Sequence, residues 1–282
     1  MKKLIALLLA TLMIFALVAC GETPAAPEGQ TTAETAEGSN AEATEPADTR
    51  TFTMGIDAEY PPFSYLDDKG EYAGFDVEIC KAACEKLGWQ FEVFGVNWEQ
   101  KLVQLDVGEC DCVWSGMTIL DSMKEAGYVL SAPYYDNTQV LLVKDDSGYA
   151  SSADLAGKAV AVQLGTSGES LLQGDLADLA ETFGSIVTCE SFIKCFAELD
   201  GGAVDAVFVD MPVAKSYAAE HKGFTVIDEG LGAEQYGIAF RADDAETCAA
   251  IEGAVAELVS DGTYAAIAEK YPDIVNNLLF LQ

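Results

Sequence analysis

Three groups of polar residues stand at spacings suited to holding a small charged molecule. In SGMTI, Ser115, Gly116 and Thr118 close an apolar run, so two hydroxyls and a glycine backbone share one predicted strand end. In GTSGES, Gly165 permits a tight turn, and Thr166 and Ser167 open a predicted helix. Amides at such a start, with the helix dipole behind them, attract a carboxylate. Plain capping, with Glu169 closing a capping box, is compatible with that role. Asp210 ends another apolar run. It offers a charge-assisted contact to an ammonium, or alternatively caps the helix MPVAKSY, where Pro212 falls in the first turn. This is the chemistry of binding. Proton transfer needs a poised acid or base, and the chain's single imidazole, His221, falls late in a helix ending AAEHKG, a surface position.

Metal and cofactor chemistry has no footing in the sequence. The eight cysteines include no CxxC pair, so neither a metal nor a cofactor is expected. Without Cys20 an odd seven remain, read as buried thiols, with one or more disulfides left open. A net charge of −32 excludes nucleic acid as a partner, because phosphate binding needs a basic surface. It favours solubility beside a membrane and mildly attracts cations.

The N-terminus sets the compartment. Lys2 and Lys3 precede an apolar run from Leu4 to Ala19, short for a membrane span, so residues 1–19 read as a secretory signal. Cys20, directly after small residues in LVAC, resembles the lipobox cysteine of bacterial lipoproteins; an ordinary cut with an incidental cysteine is the alternative. Lipidation there would hold an extracytoplasmic protein on the bacterial cell membrane. Residues 20–50 are Ala, Thr, Glu, Pro and Gly with no large apolar side chain, the composition of a tether. Residues 51–282 suffice for one large domain or two lobes.

Strand and helix signals alternate through this body. TFTMGID reads as a strand and FDVEICKAACEKLG as a helix stopping at Gly88. WQFEVF alternates with period two. The helix WEQKLVQLDVG feeds the strand DCVWS; later come KAVAVQ, SIVTC, the helix FIKCFAELDGG, VDAVFV and FTVID. Such alternation argues for open, mostly parallel sheets. LDVGECDCVWSGM (105–117) and LDGGAVDAVFVDMP (199–212) align with Leu, Asp, Gly, Asp and Val in register, and Trp98 and Phe192 open the preceding helices at one offset. A repeated helix–glycine–strand unit predicts two similar lobes. Ligands bind beyond the carboxyl ends of such strands, which sets Ser115, Gly116 and Thr118 against Asp210 across a closing cleft.

The motifs GIDAEYPPFSY, GEYAGFDVEI, LDVGECDCVWSGMTI, APYYDNTQVLLV, DLAGKAVAVQLGTSGE, GGAVDAVFVDMPVA and YGIAF, in this order, resemble the family 3 extracellular solute-binding proteins. These are receptors of ABC-type importers for polar amino acids. The resemblance implies an α/β, periplasmic-binding-protein type II fold: two Rossmann-like lobes joined by two hinge strands. The crossings fall near Gln139–Leu142 and Gln235–Ile238, giving lobe 1 as 51–140 plus 237–282 and lobe 2 as 141–236. It implies a non-enzymatic monomer that hands an amino acid to a permease. Asp57, Tyr60 and Phe63 would form the side-chain wall, with Tyr60 stacking on the ligand and Trp98 as a second apolar face. Core packing is the alternative for each aromatic, Trp114 included. Asp210 would hold the ligand's ammonium.

One departure from the family pattern matters. The family's arginine for the α-carboxylate falls at Met123 counting from Thr118, or at Lys124 counting back from SAPYY, and the chain's only arginines are Arg50 and Arg241. Three readings stay open: Lys124 substitutes as a point charge; the Thr166–Ser167 amides with Ser115 and Thr118 hold the carboxylate; or the ligand is an amine or other cation without one. A cyclohexadienyl-dehydratase-like enzyme using Glu59 as the acid, and a ligand sensor acting through a separate protein, are the further alternatives.

Overall fold

A computed structural model describes residues 50–282. The signal, Cys20 and the rest of the tether lie outside the described residues. Arg50, counted with the tether from composition, is tied to the body: its carbonyl accepts from Gln90 N (2.9 Å), its guanidinium stacks 4.2 Å from the Trp89 ring centre, and Nη1 reaches Thr247.

In chain order, the elements that position the site begin with β1 (Thr51–Ile56), α1 (Phe75–Leu87), β2 (Gln90–Gly95), α2 (Lys101–Asp106), β3 (Cys112–Thr118) and α3 (Asp121–Glu125). The long strand β4 (Tyr135–Lys144) follows, then β5 (Ala159–Gln163), α4 (Ser167–Gln173), β6 (Ser185–Cys189), α5 (Phe192–Gly201), β7 (Ala206–Asp210) and α6 (Met211–Glu220). The last are β8 (Phe224–Ile227), β9 (Ala233–Phe240), α7 (Ala245–Ser260) and α8 (Thr263–Ala268). Helix α1 shows how locally these are specified. Asp76 and Glu78 sit in its first turn and Lys86 in its last, each matching the helix dipole, and Gly88 ends it in the left-handed conformation.

Two parallel triplets form the body, β2–β1–β3 and β6–β5–β7. Each has the same order, with the first strand of the unit in the middle. The antiparallel strands β4 and β9 join them: Tyr135–Thr138 of β4 pair with β9, whereas Gln139–Val143 pair with β7. Strand β9 in turn pairs with β3 through Tyr236 and Gly237. One continuous strand therefore changes sheets at Thr138/Gln139. This is the two-lobed mixed α/β architecture expected from the sequence, with the parallel prediction holding inside each triplet and failing at the crossings.

The sequence repeat has a hydrogen-bonding cause. Asp111 accepts from Thr53 N (2.8 Å) at β1, and Asp205 accepts from Ala159 N (3.0 Å) at β5. The matching backbone bonds are Asp111 N to Thr53 O and Asp205 N to Ala159 O. Each aspartate fastens the third strand of its unit to the first. Gly108 and Gly202 make the preceding reversals at φ of 80° and 76°, which any L side chain would strain.

The seven described cysteines are all buried and unpaired. No described helix is long and apolar enough to cross a membrane.

Asp76 links helix to site. Fully buried, its Oδ2 accepts from Gly116 N and from the Tyr134 hydroxyl, each at 2.7 Å. Burial pushes its carboxyl up from 3.8 to about 7, against the opposing Tyr134 and Gly116 hydrogen bonds and a weaker contribution from the Trp114 indole. An acid whose folded pKa is raised favours the fold below its unfolded pKa and loses that contribution as pH rises through the folded value. Between about pH 4 and about pH 7 the loss is expected to be on the order of 4 kcal/mol. Urea denaturation across that range should show Asp76→Asn less stable overall but with a flatter pH slope than wild type. Parallel slopes would place the titration elsewhere.

Candidate functional site

The carboxyl ends of β3 and β7 deliver Thr118 and Asp210 to one cleft, and the start of α4 closes it. The walls are Tyr60, Trp98, Gly116, Met117 and Leu120 on one side and Gly165, Thr166 and Ser167 on the other. The charged side chains in the lining are Lys101 and Asp210. The space enclosed is small, about 30 Å³, because several contacts draw the sheets together. Thr118 Oγ1 donates to Ser167 Oγ (3.2 Å), Gln163 Nε2 donates to Asp57 Oδ2 (2.7 Å), and Lys101 Nζ donates to Gly165 O (2.6 Å). Gly165, at φ 72°, lies so close to the opposing chain that a Cβ would stand 2.6 Å from Glu99 Cα.

Asp210 is 3% exposed. It occupies the N-cap position of α6 but makes no side-chain bond to that helix, so capping is not what its carboxylate does. Its Oδ1 instead accepts from Asn137 Nδ2 (2.7 Å), Gln139 Nε2 (2.8 Å) and the Tyr236 hydroxyl (2.8 Å). Burial and the neighbouring Glu234 carboxylate hold its pKa well above the usual range, with the Tyr236 and Gln139 bonds opposing. Asn137 Oδ1 and Gln139 Oε1 are buried with no partner. The surroundings are thus short of donors, the deficit that an ammonium fills.

Tyr60 is 5% exposed; its hydroxyl pairs with that of Tyr236 (2.8 Å) and its ring lies 6.0 Å from Phe192. Its face passes so near Gly116 that a Cβ there would meet Tyr60 Cε1 at 2.4 Å. That close approach is what the glycine in SGMTI permits. Thr166 caps α4 through Glu169 N, and Glu169 returns to Gly165 N, so this stretch caps its helix as well as lining the cleft.

Four sequence expectations are corrected. Lys124 does not enter the cleft: its side chain is 57% exposed and pairs with Asp121 (2.9 Å), because α3 turns it outward. The inward residue of that helix is Met123, which lines the cleft. Phe63 is fully buried among Phe75, Tyr135 and Tyr236, and supports Tyr60 from behind rather than forming the wall. Ser115 points into the same lobe, where its hydroxyl accepts from Asp57 N (3.0 Å) and pairs with Ser64 (2.5 Å). Asp57 lies behind the lining, accepting from Gln163 and from Glu59 N, with burial raising its pKa.

Both arginines are structural. Arg241 donates to Cys110 O (2.6 Å) and Leu105 O and pairs with Asp111 and Asp244. The cation of the cleft is one that sequence reasoning missed. Lys101 lies over the Trp98 ring at 4.6 Å and donates to Trp98 O (3.1 Å) as well as Gly165 O. Burial lowers its pKa from 10.5 to about 8, opposed by the charges of Asp57 and Glu169. Its spacing of three residues from Trp98 puts both on one helical face, and that was the available signal. His221 is exposed and stacks on Tyr217.

The model of the bacterial extracellular solute-binding proteins, family 3, matches residues 52–273. ABC transporter arginine-binding protein 1 of Escherichia coli (strain K12) is 28% identical over 224 residues, 77% of this chain and 89% of that protein. A histidine-bound ABC uptake transporter substrate-binding protein from Streptococcus pneumoniae has a TM-score of 0.75 at 26% identity, over 78% of this chain and 91% of that one. The ancestral amino acid-binding protein AncCDT-1, described as a precursor of cyclohexadienyl dehydratase, has a TM-score of 0.70 at 34% identity, over 78% and 94%. The chain belongs to the bacterial extracellular solute-binding proteins of family 3, a family of amino-acid-binding receptors of ABC transporters.

Proposed function

We propose that this protein is the membrane-anchored receptor of an ABC importer, held by a lipid on Cys20, and that it captures a free amino acid between its lobes for delivery to a permease. Lobe 1 comprises 51–140 and 237–282, lobe 2 the residues between, and β4 and β9 are the hinge. The observation that carries the ligand class is the pair of opposite charges in one lining, Lys101 and Asp210. The ligand's ammonium sits on Asp210, within reach of Tyr236. Its carboxylate takes the Lys101 ammonium, displacing the Gly165 carbonyl, and the hydroxyls of Thr118 and Ser167. Tyr60 and Trp98 flank the side chain. The names of relatives that bind arginine and histidine point towards a polar or cationic side chain. An enzymatic role finds no imidazole in the cleft.

A thermal-shift panel tests this reading, setting each amino acid beside its carboxamide and its decarboxylated amine. Free acids that stabilise more than either analogue support it. Amines that stabilise equally well would make the ligand a cation without a carboxylate and would remove Lys101 from carboxylate binding. Turnover of a cyclohexadienyl acid would restore the enzyme.

A further inference from the structure

Behind the cleft, the first lobe holds a second and larger cavity, of about 280 Å³, and no residue lines both. Trp114 of β3, Val255 and Val259 of α7 and Tyr264 of α8 line it, with the partly exposed Phe280 beside them. One polar atom in this lining, the Tyr264 hydroxyl, is buried without a hydrogen-bond partner, on a side chain 1% exposed, whereas the Trp114 indole faces the Asp76 carboxyl. Buried groups of this kind are normally paired, so the cavity presents unused donor and acceptor capacity.

Water is a poor occupant. A buried water needs about two to four polar partners, and most of this lining is aliphatic or aromatic. An apolar cavity of about 150 Å³ takes benzene, and this one is larger and opens to solvent beside Ala132 and Ala256. A charged occupant is excluded for a different reason. Glu252, the carboxylate in the lining, is engaged by Ala132 N (2.7 Å), and an unpaired charge in such surroundings is strongly disfavoured.

We infer that this cavity is a second small-molecule site, separate from the amino-acid cleft, and that it takes an uncharged aromatic ring carrying one hydroxyl group, a phenol. The ring packs between Trp114 and the two valines of α7. The phenol hydroxyl shares a hydrogen bond with the Tyr264 hydroxyl.

The test is fluorine NMR with 4-fluorophenol, on protein purified from cells expressing the full chain. Saturable binding is expected, with a Kd on the order of 1 mM or tighter for a ligand of this size. Val255→Trp fills the cavity and should abolish binding. If that variant does not unfold cooperatively, Ala256→Trp, at an exposed lining position, serves the same purpose. Tyr264→Phe should weaken binding about three- to tenfold through the lost hydrogen bond. 4-Fluorobenzoate and 4-fluorobenzylamine should bind at least about tenfold more weakly than the phenol. Absence of saturation up to the solubility limit, or binding that survives both tryptophan substitutions, overturns the inference and leaves the cavity to water.

Discussion

Asp210→Asn is expected to weaken binding of a free amino acid by roughly a hundredfold or more, measured by isothermal titration. Removing one partner of a buried, hydrogen-bonded charge pair costs about 2–5 kcal/mol, and each 1.4 kcal/mol or so is tenfold in Kd. The carboxylate is buried, faces the cleft and is surrounded by acceptors that lack donors. Asparagine keeps the volume and can accept from Tyr236, but it carries no charge and sets an amide N–H against those of Asn137 or Gln139. The pH dependence has a definite sign. Asp210 has a raised pKa without a ligand, so an arriving ammonium must favour its ionised form. Wild-type affinity therefore rises with pH on the acid side, and the variant should show no such rise. A loss under about threefold would place the ammonium elsewhere.

Lys101→Met should cost about ten- to a hundredfold in affinity for the free acid and almost nothing for the matching carboxamide. That loss corresponds to one charge-assisted hydrogen bond of about 1.5–3 kcal/mol. Lys101 is held near pH 8 by burial, and a bound carboxylate would favour its charged form. Affinity for the acid should then begin to fall as pH rises beyond about 8, and the methionine variant should keep only the fall that deprotonation of the ligand's own ammonium brings. Equal losses for acid and carboxamide would mean that Lys101 acts by latching Trp98 to Gly165, which would move the carboxylate to the Thr166–Ser167 cradle.

Much of this was legible from residue order because it is local. The repeated Leu-Asp-Gly-Asp-Val pattern marks a helix, its glycine reversal and a strand whose leading aspartate fastens it to a neighbour, and both copies fold that way. Tyr60, Gly116, Thr118, Thr166, Ser167 and Asp210 reach one cleft because strand ends and a helix start put them there. Side-chain direction was harder. In α3 neighbouring residues point about 100° apart, so a one-residue ambiguity in alignment decided whether 123 or 124 faced inward. Phe63 and Ser115 were placed in the right neighbourhood, but packing turned them away from the opening.

By itself the sequence determined the α/β class and its repeated helix–glycine–strand unit, whereas the crossing strands and the position where an arginine is missing were implied by the family resemblance. Periodicity, turn residues and composition act over a few neighbours and can be read in one dimension. Only the tertiary structure decided where the cleft's positive charge comes from. Lys101 and Gly165 are 64 positions apart, and what joins them is the approach of two sheets. The same holds for the Asp210–Glu234 proximity and for the cavity behind Trp114: each depends on how distant segments exclude water around one another, and burial of that kind has no local signature.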